Sequence, residues 1–331
     1  MRSRFVLMSA IVFAGLGAIH PSSAQQISSD VVISGASLND GYGNSSCDEE
    51  GQLYRLRVNP RPGGDAISVQ RVAKDGSTQL FTLTRPDWSI QGIAPSAQGL
   101  IVLANAGAEM GSHVTRVYRF DTQGNIRSER SVTFDFQPFA LAEAKSGMTI
   151  VVGYRGKFEM KQDARTVGGA ILDADDQVVK TFEFQPAADG SRWRFVSTHR
   201  IWADDHGASV ILQSSDGDPN FEIATIDESG ETKVLPLETV RGARFHDWYF
   251  AKGVAVEQYQ FTGEKPPGYT KIDRFDMATG KNMGTKTLPG VGFAVACYLG
   301  DEMSMTAHSA HVEKSRGLPP DALRLVTVKL E

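Results

Sequence analysis

The sequence predicts an all-β fold, a six-bladed β-propeller of four-stranded antiparallel blades, and three observations point to it. Gly51, Gly99, Gly147, Gly207, Gly253 and Gly300 each close a short polar turn and precede an apolar run, at intervals of 48, 48, 60, 46 and 47 residues. That interval is the period of a four-stranded blade and not of a helical solenoid. Between these glycines stands a second marker, an apolar residue and Asp followed by a turn. It reads Phe120-Asp121-Thr122-Gln123-Gly124, Leu172-Asp173-Ala174-Asp175-Asp176, Ile226-Asp227-Glu228-Ser229-Gly230 and Phe275-Asp276-Met277-Ala278-Thr279-Gly280, with a looser Lys74-Asp75-Gly76 in the first period. Tight hairpins need positive φ or a side chain that bonds its own backbone, which is what Asp and Gly supply. Finally, no stretch beyond the N-terminal leader keeps a helical period.

The chain opens with Arg2 and Arg4, an apolar run from Phe5 to Ile19, and His20-Pro21-Ser22-Ser23-Ala24. This pattern reads as a secretory signal over residues 1–24, with the mature chain starting at Gln25. The apolar run contains Gly15 and Gly17 and is too short to span a bilayer. A periplasmic or secreted location is therefore expected, with no membrane span. Removing the leader takes the formal net charge from −5 to −7, which argues against nucleic acid and anionic membranes as partners.

Residues 25–331 are expected to form one closed domain. Leu100-Ile101-Val102-Leu103, Met148-Thr149-Ile150-Val151-Val152 and Val210-Ile211-Leu212 are continuous apolar runs, as second strands sandwiched between neighbouring blades require. Arg116-Val117-Tyr118-Arg119-Phe120 and Lys271-Ile272-Asp273-Arg274-Phe275 alternate, which suits third strands nearer the rim. After Gly300 the chain has room for Glu302–Thr306 and Leu323–Leu330 but not for a fourth strand. Val31-Val32-Ile33 would supply it, pairing beside the C-terminal strand and closing the ring. Closure removes free edges, and a monomer is expected.

The turn glycines and apolar-Asp markers resemble those of exported six-bladed propellers of the broad TolB-like and NHL-like kind, over nearly the whole mature chain. The resemblance is one of fold and implies no particular activity. There is no WD dipeptide pattern, no Tyr-Trp-Thr-Asp blade motif and no sialidase-type Asp box.

In such a ring the a–b and c–d turns lie on one face and the b–c and d–a connections on the other. The short turns fall in the first set. Long, dissimilar loops fall in the second, at Asn105–Val114, Tyr154–Val167, Ser214–Phe221, Gln260–Tyr269 and Ala307–Ala322. Variable loops on a rigid scaffold are the usual carriers of binding. The d–a connections bring aromatic rings beside guanidinium groups, a pairing suited to stacking on sugars and capturing a carboxylate. The candidate binding residues are Trp88, Arg192, Trp193, Arg194, His199, Arg244, Phe245 and His246. The competing reading of the aromatics is that they wedge between blades. Trp202 and Trp248, each five residues before its glycine, are read as core.

Chemical motifs are sparse. His308, His311 and Glu313 suggest an exposed metal site only weakly, because none of the spacings is a recognised ligand set. Asp216-Gly217-Asp218-Pro219-Asn220 begins like a calcium loop but has Phe221 where glycine is needed, so structural calcium is the one cofactor left open. Glu143 and Asp247 are carboxylates near the channel with no evident partner for acid–base work. Asn44-Ser45-Ser46 is a glycan acceptor only in a host that uses such sites. No catalytic residue and no metal ligand is assigned.

Cys47 and Cys297 precede Gly51 and Gly300, on innermost strands of blades 1 and 6. A disulfide between them would tie the ends of the ring and contribute on the order of 4–5 kcal/mol in the chain-entropy model. Two buried thiols is the equal alternative, because adjacent inner strands can stand too far apart for the bond. The functional expectation is a propeller that binds a small molecule, a glycan or an envelope protein with its long-loop face. A metal-assisted, lactonase-like hydrolase with its site at the channel mouth is the second reading, and a structural role in an envelope assembly the third.

Overall fold

The computed structural model describes residues 27–37, 41–58, 67–83, 88–106, 114–156, 166–185, 193–195, 201–205, 207–214, 220–239, 244–260, 269–289, 294–307 and 322–329. They form a ring of six antiparallel blades. After β1 (Ile27–Ser37), blade 1 comprises β2 (Gly41–Cys47), β3 (Leu53–Val58), β4 (Ile67–Val72) and β5 (Thr78–Leu83). Blade 2 comprises β6 (Trp88–Ser96), β7 (Gly99–Ala106), β8 (Val114–Phe120) and β9 (Ile126–Thr133). Blade 3 comprises β10 (Gln137–Glu143), β11 (Thr149–Arg155), β12 (Thr166–Leu172) and β13 (Val178–Glu183).

In blade 4 the inner strand is split into β14 (Trp193–Phe195) and β15 (Ile201–Ala203), which both pair with β16 (Gly207–Ser214), ahead of β17 (Phe221–Asp227) and β18 (Thr232–Pro236). Blade 5 comprises β19 (Arg244–Ala251), β20 (Val254–Gln260), β21 (Tyr269–Asp276) and β22 (Asn282–Pro289). Blade 6 comprises β23 (Ala294–Leu299), β24 (Glu302–Ala307) and β25 (Ala322–Lys329), and β1 is its fourth, outermost strand. Val31 lies opposite Leu325 and Val32 opposite Arg324. The N-terminal strand thus closes the ring as the sequence predicts.

The apolar runs are continuous because each blade is packed on both faces. In β7, Leu100, Val102 and Ala104 face blade 1, where they meet Tyr54 and Phe81, with Phe120 of the neighbouring β8 in the same cluster. Ile101 and Leu103 face blade 3, where they meet Leu141, Val151 and Ala170. Trp248 is fully buried between blades 4 and 5 against Phe221 and Phe275, at ring-centroid distances of 5.2 and 5.6 Å, and Trp202 packs on the same cluster.

The beat glycines all have positive φ. At Gly99 and Gly207 the reason is also space, since a Cβ would stand 2.2 Å from the Phe120 carbonyl oxygen and 1.9 Å from that of Ile226. The Asp markers act through their carboxylates. Asp121 Oδ1 accepts from the amides of Gln123 and Asn125, Asp173 Oδ1 from those of Asp175 and Gln177, and Asp227 Oδ1 from those of Ser229 and Glu231. Blade 3 has Asp176 where blades 2 and 4 have glycine, and Asp176 adopts φ 60°.

The third strands depart from the rim expectation. Blades stack on both faces of these strands too, so their polar residues are covered and must find partners. Arg119 of β8 donates from Nε and Nη2 to Asp176 Oδ1 at 3.0 and 2.8 Å, from Nη1 to Glu143 at 2.8 Å and from Nη2 to the Thr149 hydroxyl at 2.9 Å. This cluster bolts blade 2 to blade 3. Asp273 of β21 is fully buried rather than solvated.

Candidate functional site

The inner strands surround the central channel, and its two ends are built differently. At the end carrying the a–b turns, a recess open to solvent is lined by Ser45, Ser46 and Cys47 of β2, Ile201 and Trp202 of β15, Tyr249 and Phe250 of β19, and Cys297 and Tyr298 of β23. Cys47 and Cys297 form a disulfide across blades 1 and 6, with Cα atoms 5.7 Å apart. Tyr249 and Tyr298 stack obliquely with centroids 5.9 Å apart, and the Tyr249 hydroxyl donates to Asp247 Oδ2.

At the other end the strands deliver the candidate binding residues. Trp88 pairs with Ala106, Trp193 with Ser214 and Arg244 with Gln260, so all three begin inner strands at the end where the b–c connections leave. Trp193 is buried between blades 3 and 4 and donates its indole N–H to the Gln185 carbonyl at 2.7 Å. Phe134 and Phe136, on the preceding d–a connection, are likewise buried, between blades 2 and 3. The wedge role thus holds for these rings. Arg194 lies in β14, and Arg244, Phe245 and His246 open β19; the side chains of these four and of Trp88 lie outside the described residues, as do Arg192 and His199. So do His308, His311, Glu313 and the Asp216–Pro219 part of the suggested calcium loop. Asp227, which would complete that loop, caps its own turn at the opposite end of β17. Among the described residues no three His, Cys, Asp or Glu are placed to hold a metal, and no helix is long and apolar enough to cross a membrane.

Two features were not evident from the sequence. The pairing of inner with second strands shifts register at Tyr42/Ser45, Ile90/Gly92, Pro138/Ala140, Arg244/Asp247 and Val295/Cys297, and blade 4 breaks its inner strand outright. A bulge re-aims the residues after it, so Phe245 and His246 sit where β19 changes facing. The second feature is a buried acidic row: Glu257 and Asp273 stand opposite one another on β20 and β21, both fully buried, with Tyr259 beside them. Burial, then the charges of Asp273 and Glu257, push the Tyr259 phenol well above its ordinary range. The row lies in blade 5 on the side facing blade 4, below the long-loop end. Of the two channel carboxylates singled out in the sequence, Glu143 is bonded to Arg119 and Asp247 to Tyr249.

The sequence matches no protein-family model, and no curated protein resembles it in sequence. Solved structures resemble it in fold. A luciferin-regenerating enzyme aligns with a TM-score of 0.51 at 14% identity, over 91% of this chain and 96% of that one. A member of the DUF4221 family from Bacteroides vulgatus aligns with a TM-score of 0.50 at 10% identity, over 92% and 98% of the two chains. A subtype N11 neuraminidase-like protein of A/flat-faced bat/Peru aligns with a TM-score of 0.50 at 8% identity, over 95% and 97%. At these identities the likeness is one of architecture alone.

Proposed function

We propose that this chain is an exported binding propeller that engages its ligand with the long-loop face, and that the ligand is a carboxylate-bearing sugar or glycan. One observation carries the reading. The fold gathers the short, Asp-capped turns on one face, while the connections of six to fourteen residues between second and third strands all leave from the other. Rigid rings with variable loops on one side are built for recognition. Arg194 and Arg244 begin inner strands of adjacent blades at that end, and guanidinium groups capture carboxylates bidentately. Trp88 opens β6 and Phe245 stands second in β19 at the same end, and aromatic rings suit stacking on sugars.

The test is a panel of oligosaccharides with and without a carboxylate, applied to the mature chain at low and high salt. Binding of the acidic members, weakened by salt, is the expected result; equal binding of the neutral members would remove the arginines from the account. The second reading, a metal-assisted lactonase-like hydrolase, has its own measurement. Lactone hydrolysis that disappears with a chelator would favour it, and a chelator-induced fall in melting temperature without hydrolysis would instead indicate structural calcium in the Asp216–Asn220 loop.

A further inference from the structure

We propose that the Cys47–Cys297 disulfide is a thiol-addressable latch on the seam between blades 6 and 1, opened by dithiol exchange at Cys47 while the ring stays folded. Access comes first. Cys47 is half-buried and Cys297 is 2% exposed, and the recess at the short-turn end of the channel is lined by both. An incoming thiolate entering the recess therefore meets Cys47, the more exposed of the pair, before Cys297, which belongs to the buried cluster with Leu53, Val72 and Leu323 while Cys47 packs at its margin.

The seam is also held without the covalent bond. β1 pairs with β25 along most of its length, and Arg324 donates from Nε to Asp30 Oδ1 at 2.8 Å with a second contact from Nη2 to Oδ2. The Ser34 amide donates to the Gly76 carbonyl at 3.2 Å, and Gln70 Nε2 donates to the Ser34 carbonyl at 3.2 Å, tying β1 to blade 1. Ile33, Leu53, Val72 and Leu325 fill the space between the two blades. A ring with this second closure keeps its blades in place when the sulfurs part. What changes is the recess, because its walls come from the inner strands of blades 4, 5, 6 and 1, and the disulfide fixes the last two of these relative to each other.

The exchange balances as follows. One thiolate of a dithiol reductant attacks Cys47 Sγ, forming a mixed disulfide, and Cys297 Sγ leaves as a thiolate that takes a proton from solvent. The second thiol of the reductant then displaces Cys47, leaving an oxidised reductant and two protein thiols, with two electrons passed to the protein. Because the leaving sulfur is the buried one, where a thiolate is disfavoured, the first step is slow and the latch resists casual reduction.

The experiment treats the oxidised mature chain with dithiothreitol at neutral pH without denaturant, quenches with a maleimide and counts modified cysteines by intact mass, with circular dichroism and melting in parallel. Two thiols should appear with an unchanged far-ultraviolet spectrum and a melting midpoint lower by about 10 °C. Peptide mapping after a monothiol pulse should find the mixed disulfide on Cys47. The Cys47→Ser/Cys297→Ser double variant should fold, melt at the reduced midpoint and ignore the reductant. Thiols that appear only in denaturant, a mixed disulfide on Cys297, or a double variant that fails to fold would each overturn the proposal.

Discussion

On one face of the ring the chain reverses in two to five residues at every a–b and c–d turn, and on the other it travels six to fourteen residues between second and third strands. Many of the short turns are satisfied locally: in the c–d turns of blades 2 to 5 an Asp carboxylate accepts two backbone amides, and the a–b glycines take positive φ, so these turns leave little for a ligand. The long connections have no common motif, and the candidate aromatic and basic residues stand beside them on the d–a connections and at the starts of the inner strands. The difference teaches that the repeat in this sequence is a record of one face only. Regularity marks where the ring is built, and its absence marks where binding is proposed.

The largest break expected on the structural side comes from the N-terminal strand. Deleting residues 25–37 leaves blade 6 with an open edge and uncovers Leu323 and Leu325, and the truncated chain should lose its cooperative melting transition and aggregate. Next is the bolt between blades 2 and 3. Arg119→Ala leaves the buried Asp176 and the largely buried Glu143 without their shared cation, and denaturant unfolding should show a loss of about 3 kcal/mol. Asp176→Gly removes the same ion pair but relieves a positive φ, so its cost should be smaller than that of Arg119→Ala.

Smaller effects distinguish the turns from one another. Asp121, Asp227 and Asp276 are held below the ordinary carboxylate range, first by the side chains of Asn125, Ser229 and Thr279 respectively and then by backbone amides. Their folded pKa values lie under the unfolded one, so the stability they add is present above the ordinary value of 3.8 and is lost as pH falls through the folded values. Melting temperature should drop in that acidic window, and less steeply in an Asp121→Asn variant. Asp48, in the inner turn of blade 1, makes the same two amide bonds but is raised, chiefly by burial. Its charge opposes folding at neutral pH, so Asp48→Asn should leave stability at pH 7 unchanged or higher where Asp121→Asn lowers it. An equal response of the two variants would contradict the contrast.

Much of this ring was legible because its constraints are local. Gly99, Asp121 and Asp227 announce turns whatever surrounds them, and the shortage of strands after Gly300 called for Val31-Val32-Ile33. The register shifts in the inner strands were not legible, because a bulge depends on what the neighbouring strand demands and leaves no residue signature at Phe245 or Gln91. Asp273 was misplaced at the rim because alternation was read as exposure. In a stack of blades both sides of a third strand are covered, so alternation there separates partners rather than water from core. Trp193 looked like a ligand platform beside two arginines, yet the gap between blades 3 and 4 needs a large side chain, and the Gln185 carbonyl satisfies its indole.

The two faces can be set against each other in one titration. An Arg194→Ala/Arg244→Ala variant and a Lys252→Ala variant, the latter in the a–b turn of blade 5, are compared for binding of an acidic oligosaccharide by calorimetry, with melting temperature as the control for folding. The expected result is at least about a tenfold loss of affinity in the arginine variant, worth about 1.4 kcal/mol, with both melting temperatures and the Lys252 variant's affinity unchanged. Retained binding in the arginine variant together with loss in the Lys252 variant would place recognition on the short-turn face and contradict the account.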